Sequence, residues 1–210
     1  MSLPDGVTRR EFDGDTALAT RGPPVYGEPT ADGWRLWDPR RSKLGRMLEL
    51  GLSTGLSAGA SVLYLGAAAG TTVSHIADFA GPTYAVEFAP RPARDLIAAA
   101  EPRQNLIPLL KDARQPERYA HIVEDGLDAI VQDVATRGQA AVAVANAQFL
   151  APDGRLILAI KARSEDVARD PAAIFAEAEE TLTEAYTIEA TERLDPVHDD
   201  HLAVIARPHG

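Results

Sequence analysis

The sequence predicts an α/β protein. It should have a mostly parallel seven-stranded sheet with helices on both faces, an antiparallel hairpin at its C-terminal end, and a small antiparallel β module in front. Three observations carry this. From Ser61 onward, short continuous apolar runs alternate with amphipathic stretches, the pattern of parallel strands buried on both faces and joined by crossover helices. Near the C-terminus two strand-like runs are separated by only a short loop, too little chain for a crossover, so they must pair antiparallel. The N-terminal stretch is rich in Gly, Pro and Asp, with alternating pieces between the turn signals DGD and ADG, which reads as a meander of short strands.

In chain order, residues 1–41 form the β module and residues 42–210 the main domain. The segment SKLGRMLELGL opens the main domain with Ser42 as N-cap, Leu44, Met47 and Leu48 at helical spacing, and Gly51 as the C-terminal stop. Strands follow at SVLYL, TYAVEF, NLIPLL, LDAIVQD and GRLILAIKA. The spacing predicts helices over TTVSHIADFA, RPARDLIAAAE and GQAAVAVANAQFLA between them. A helix over PAAIFAEAEETLTEAY then leads to the hairpin strands TIEATERL and HLAVIARP.

Composition narrows the function. A chain of 210 residues is one sizeable domain, or a domain with a small appendage. It has no cysteine, which excludes disulfides, zinc–thiolate sites and thiol nucleophiles and fits a reducing cytoplasm. No leader-like apolar stretch and no membrane-length run is visible. The net charge of −10, from 31 acidic and 21 basic residues, argues against gripping nucleic acid by bulk electrostatics. Yet the only lysines are Lys43, Lys111 and Lys161, and few lysines with many acids is a composition suited to a salt-loaded cytoplasm. At molar salt the screening length is about 3 Å, so net charge says little about partners there.

The stretch VLYLGAAAGTTVSH places Gly66 and Gly70 between a strand and a helix, where a bare backbone turn lets a nucleotide-like ligand approach. The spacing is neither a dinucleotide fingerprint nor a P-loop. Glu87 closes the next strand about 20 residues on, where an acid accepts hydrogen bonds from a ribose diol. Asp112 and Ala113 follow the third strand, placed to meet an adenine edge, and Asp133 follows the fourth. Three strands each ending in a carboxylate at one sheet edge mark a ligand rim, since packing alone would let acids fall at either end.

Six blocks, VLYLGAAAGTTVSH, YAVEFAPRPARDL, LLKDARQPERY, AIVQDVA, LAIKARS and DPVHDDHLAVIA, together with RLWDPRRSKLGRML, stand in an order that resembles the fibrillarin family, in its short archaeal form without a glycine–arginine tail. The resemblance implies a Rossmann-like class I methyltransferase fold, S-adenosyl-L-methionine as cofactor, and methylation of ribose 2′-hydroxyls in rRNA and tRNA. It also implies partners: a box C/D guide RNA, a Nop-type scaffold protein and an L7Ae-type RNA-binding protein. By motif, Thr71, Thr72, Glu87, Phe88, Asp112, Ala113, Asp133, Val134, Ala135 and Thr136 fall on its cofactor blocks, with Gly66 in the turn. Its reacting-centre set falls on Lys43, Asp133, Lys161 and His201. The block DVATRGQ departs from the commoner DVAQPNQ, so Thr136 replaces a glutamine and Gln139 becomes the alternative contact.

In that setting Asp133 would hold the cofactor's amino-acid end or orient the hydroxyl. Lys161 would stabilise developing negative charge or act as base, His201 would take the proton or hold Lys161, and Lys43 would position ribose or phosphate. Arg40, Arg41 and Arg46 beside Lys43 form a basic cluster suited to RNA phosphate, although such side chains equally pair with surface acids. His198 and His201 lack helical ligand spacing, so no metal is expected. His75 reads as a packing or cap residue, and Trp34 and Trp37 as strand-core or partner-facing. Two rivals remain: a methyltransferase acting on a protein side chain, and a non-catalytic structural subunit of an RNA–protein complex.

Overall fold

The computed structural model describes residues 3–209. The N-terminal module is a four-stranded antiparallel sheet of β1 (Thr8–Phe12), β2 (Asp15–Arg21), β3 (Thr30–Ala31) and β4 (Trp34–Leu36), in the order β1-β2-β4-β3. Its two hairpin loops are the Asp-Gly pairs read from the sequence. Asp13 (φ 51°) with Gly14 (φ 91°), and Asp32 (φ 53°) with Gly33 (φ 79°), take the left-handed backbone that two-residue turns between twisted strands require. Helix α1 (Lys43–Glu49) is capped by the Ser42 hydroxyl, which accepts from the Gly45 N–H at 3.0 Å. It ends with Gly51 N–H on the Leu48 carbonyl and Leu52 N–H on that of Met47, the paired bonds that a left-handed glycine allows.

The main sheet contains β5 (Val62–Leu65), β6 (Thr83–Glu87), β7 (Leu106–Leu110), β8 (Leu127–Gln132), β9 (Leu150–Lys161), β10 (Tyr186–Arg193) and β11 (His201–Pro208), in the order β10-β11-β9-β8-β5-β6-β7. Strands β5 to β9 pair parallel, while β11 lies antiparallel between β9 and β10. Connecting helices are α2 (Thr71–Ala77), α3 (Pro90–Ala100), α4 (Gln139–Asn146), α5 (Ala162–Glu165) and α6 (Pro171–Leu182). The spacing that predicts a helix over 138–151 gives one only as far as Asn146. There the chain tightens into a 3-10 turn, Ala147–Phe149, and Leu150 already pairs with Leu127. Burial of Phe149 and Leu150 outweighs the alanine-rich helix propensity. The four-residue α5 has no sequence signal.

Period-two alternation splits the strands between two cores. Leu63, Leu65, Leu156, Leu158, Leu202 and Val204 join α4 and α6 on one face. On the other face Val62, Tyr64, Val131, Ile157, Ala159, Ala203 and Ile205 meet α1, α2 and the N-terminal module, whose Val7, Leu18 and Trp37 share that cluster. A buried ionic network fastens the module further. Arg35, fully buried, pairs with Glu28 and with Asp78 at 2.7 Å, and Arg103 holds the other Asp78 oxygen at 3.1 Å. No helix among the described residues is long and apolar enough to cross a membrane.

Candidate active site

Chain order runs outward from β5 through β6 to β7, and then on the other side through β8 to β9. The switch point therefore lies between the carboxyl ends of β5 and β8, where open α/β sheets bind ligands. A cavity of about 320 Å³ opens there, lined among others by Gly66, Ala68, Glu87, Phe88, Asp112, Ala113, Asp133, Val134, Ala135 and Thr136. Gly66 has φ 85°, and a Cβ on it would collide with the Asp133 carbonyl oxygen. The turn thus brings the β5 and β8 ends into contact as only glycine permits. Glu87 is nearly buried and accepts from Ala68 N–H at 2.9 Å and Ala89 N–H at 2.7 Å. A carboxylate offers about four acceptor sites, so two remain for a diol. Phe88 is 68% exposed, a flat apolar wall at the cavity mouth. Asp112 is gripped by Arg114, whose hydrogen bonds hold its carboxyl below the usual carboxylate range.

The four reacting-centre candidates gather beside this cavity. Alternation continued past the strand ends puts Asp133, Lys161 and His201 on the α1 face of the sheet, with Val131, Ala159 and Ala203. From that face Lys43, the first residue of α1, reaches Asp133 at 2.9 Å. His201 lies directly opposite Lys161 in the β9–β11 register. The adjoining bond runs from Ala162 N–H to the Asp200 carbonyl at 3.0 Å, which makes Lys161–His201 a non-hydrogen-bonded pair, the kind whose side chains stand closest. His201 Nδ1 sits 2.7 Å from the Asp199 carbonyl, and a carbonyl only accepts, so Nδ1 carries the proton and Nε2 keeps its lone pair. That Nε2 is buried without a partner. Burial lowers the His201 pKa; the Asp199 carbonyl and Asp133 act upward, Lys43 and His198 downward, and the net shift is downward. The ring is therefore neutral at neutral pH.

Thr71, Thr72 and Gln139 stand apart from the cavity lining. Thr71 and Thr72 do not line the cavity: Thr72 donates to the Ser42 hydroxyl at 3.1 Å, and Thr71 faces a separate cavity with Tyr26 and Arg103. The first turn of α2 directs both toward α1 and the N-terminal module. Gln139 does not line it either. It is fully buried, its amide pairing with the Lys161 N–H and carbonyl at 2.9 and 3.0 Å. The basic cluster pairs in part with surface acids, the alternative its sequence left open: Arg40 on Asp38 and Arg46 on Glu49, with Arg41 over the Tyr26 ring. His75 is a packing residue, stacked on Trp37 with centroids 4.8 Å apart. Trp34 is half-exposed with Arg10 and Arg21 against its ring. Sequence reasoning missed Tyr64, whose hydroxyl pKa is raised by burial and by the Asp133 charge. Its place in a continuous apolar strand hid it.

A larger open groove of about 660 Å³ lies at the amino ends of the strands, lined by Ser57, Asp128, Arg155 and Glu189. Its polar groups already bond one another, Asp128 to Ser61 and Arg155 to Glu189. Among the described residues no cluster of three or more His, Asp or Glu side chains could hold a metal.

Comparison with known proteins agrees with the geometry. The fibrillarin family model matches residues 8–210. A fibrillarin-like rRNA/tRNA 2′-O-methyltransferase of Halorubrum lacusprofundi is 72% identical over 207 residues, 99% of this chain and 98% of that one. A fibrillarin/Nop5p complex contains a chain that superposes with a TM-score of 0.90 at 36% identity, covering 100% of both. Aeropyrum pernix fibrillarin, solved with natively bound S-adenosyl-L-methionine, gives 0.85 at 40% identity, covering 96% of this chain and 94% of that one. The chain belongs to the fibrillarin family.

Proposed function

We propose that this chain is the catalytic subunit of a cytoplasmic box C/D ribonucleoprotein that transfers a methyl group from S-adenosyl-L-methionine to ribose 2′-hydroxyls of rRNA and tRNA. A guide RNA chooses the nucleotide, and a Nop-type scaffold and an L7Ae-type protein complete the particle. The observation that carries this is the convergence of Lys43, Asp133, Lys161 and His201 at the rim of the Gly66 cavity.

The cavity fits the cofactor. Glu87 has acceptor capacity left for the ribose diol, Phe88 offers a face for the adenine, and Asp133 keeps one carboxylate oxygen clear of Lys43 for the amino-acid end. When bound, S-adenosyl-L-methionine supplies an already activated methyl group. The residues of this chain then have two tasks. Alignment of the 2′-oxygen can lower the barrier by roughly 7–11 kcal/mol. Removal of its proton by a placed base adds about 10²–10⁴-fold. The Nε2 of His201, neutral and unpartnered, suits the proton, and the Lys161 ammonium, directly opposite, suits the charge that develops on oxygen.

Arg40 is exposed and pairs with Asp38, and Arg46 pairs with the exposed Glu49. A pair whose cation stands in solvent is weakly held, so Arg40 can exchange its acid for an RNA phosphate. The test is assembly with guide RNA and the two partner proteins, followed by labelled methyl transfer. Guide-dependent label at a single 2′-oxygen supports the proposal. Intact cofactor binding with no transfer would favour a structural subunit.

A further inference from the structure

Lys161 closes β9 beyond the reach of its neighbour. Strand β8 ends at Gln132, opposite Leu158, so the edge of Lys161 that faces β8 has no strand to bond. Gln139, the first residue of α4, fills the gap: its side-chain oxygen accepts from Lys161 N–H and its amide nitrogen donates to the Lys161 carbonyl. The amide mimics one residue of a missing strand.

Gln139 is itself fixed at three points. Its amide nitrogen and its backbone N–H both donate to Glu165 Oε1, at 2.9 and 2.8 Å, and its carbonyl accepts from Gln132 at 2.7 Å. The other Glu165 oxygen accepts from Gly138 N–H at 2.7 Å. Glu165 thereby caps an α4 N-terminus whose own cap residue, Gly138, has no side chain for the purpose. The clamp joins the end of β8, the start of α4 and the end of β9. Asp133–Thr136, the segment lining the cofactor cavity, is the loop between the first two.

We propose, on the reading of Lys161 given above, that Gln139 and Glu165 are positioning residues for methyl transfer. They hold the Lys161 backbone at a fixed offset from the cofactor-lining loop, so that its side chain starts from a fixed point beside the reacting oxygen. Neither residue touches the substrate. A misplacement of about 1 Å can cost on the order of 100-fold in rate, so a backbone clamp at this point acts on turnover more than on cofactor affinity.

The assembled particle tests this with Gln139→Ala, Glu165→Ala, Lys161→Ala and Asn105→Ala. Asn105 caps the Ala77–Gly81 loop through three carbonyls and serves as a matched loss of structural hydrogen bonds away from the rim. Single-turnover transfer at saturating RNA and cofactor should fall on the order of 100-fold in Gln139→Ala, less in Glu165→Ala, and stay unchanged in Asn105→Ala. Cofactor affinity by calorimetry should stay within about threefold in all.

Lys161→Ala separates the two ideas. Wild-type turnover there removes the catalytic reading of Lys161 itself. If Lys161→Ala is inactive while Gln139→Ala turns over within about twofold of wild type, the clamp proposal is overturned and the reading of Lys161 stands. A cofactor affinity that falls in step with the rate also overturns it. Should Gln139→Ala not fold, Glu165→Ala decides by the same two readouts.

Discussion

Lys161 and His201 face each other across the β9–β11 ladder as a close, non-hydrogen-bonded pair, on the sheet face from which Lys43 reaches Asp133. Residues 158 positions apart, from Lys43 to His201, are thus held by a strand register and one ion pair. Lys161→Ala is expected to abolish methyl transfer and leave cofactor binding intact, because its backbone bonds to Gln139 survive the change. Parallel calorimetry and labelled transfer check this, and equal loss of both would remove Lys161 from the chemistry.

Gly66→Ala should destroy the cofactor site. The added Cβ meets the Asp133 carbonyl in a backbone with φ 85°, so either the β5 turn or the Asp133 loop must move. Glu87→Ala is milder in kind. It removes hydrogen bonds to a charged group, each about 1.5–3 kcal/mol, and frees Ala68 N–H. Both variants should lose cofactor affinity in a calorimetric titration, Gly66→Ala beyond detection. Unchanged binding in Gly66→Ala would mean that the cavity lies elsewhere.

Arg35→Ala should destabilise the fold by about 3–5 kcal/mol, the usual effect of removing one partner from a buried charge cluster. Glu28 loses its cation, while Asp78 keeps Arg103. Because Arg35 joins the N-terminal module to α2 through Asp78 and Ser74, proteolysis of residues 3–41 should accelerate with it. Denaturant melts and limited digestion read the two effects.

His75 adds to the acid sensitivity of the fold. The Thr20 hydroxyl donates to Asp78, so His75 Nδ1 must donate to Thr20 at 2.7 Å, and Nε2 accepts from Tyr26. Burial, reinforced by Arg35 and Arg103, lowers its pKa well below 6.5. With the folded value depressed, the unfolded chain binds the proton first. Stability is therefore full above pH 6.5 and falls as pH drops toward the folded pKa. His201 adds the same sign. In His75→Phe the slope between pH 6.5 and 5 should flatten to about what His201 and the carboxylates leave. An unchanged slope would assign the proton uptake to other groups.

Much of this was legible in the sequence, and the reasons are physical. The Asp-Gly turns, the Ser42 cap and the alternation from Ser61 are local signals, and most elements formed near where their residues predict; the end of α4 and the short α5 did not. The rim acids Glu87, Asp112 and Asp133 were legible because strand ends in a parallel sheet share an edge. Lys43 and His201 were not legible from spacing. Nothing local links them, and the family resemblance supplied them before the register explained them. Glu165 escaped, and Gln139 was read only as a cofactor contact, because both bond mainly to backbone atoms. No residue pattern announces an amide that replaces a strand. The inward turn of the Thr72 hydroxyl to Ser42, two positions past Gly70, has no local signal either.

The most direct measurement is a crystal structure of the chain with S-adenosyl-L-methionine bound. The transferable methyl should lie in the Gly66 cavity, directed toward the side chains of Lys161 and His201. A methyl directed toward the opposite sheet face, with that pair remote from it, would contradict the account.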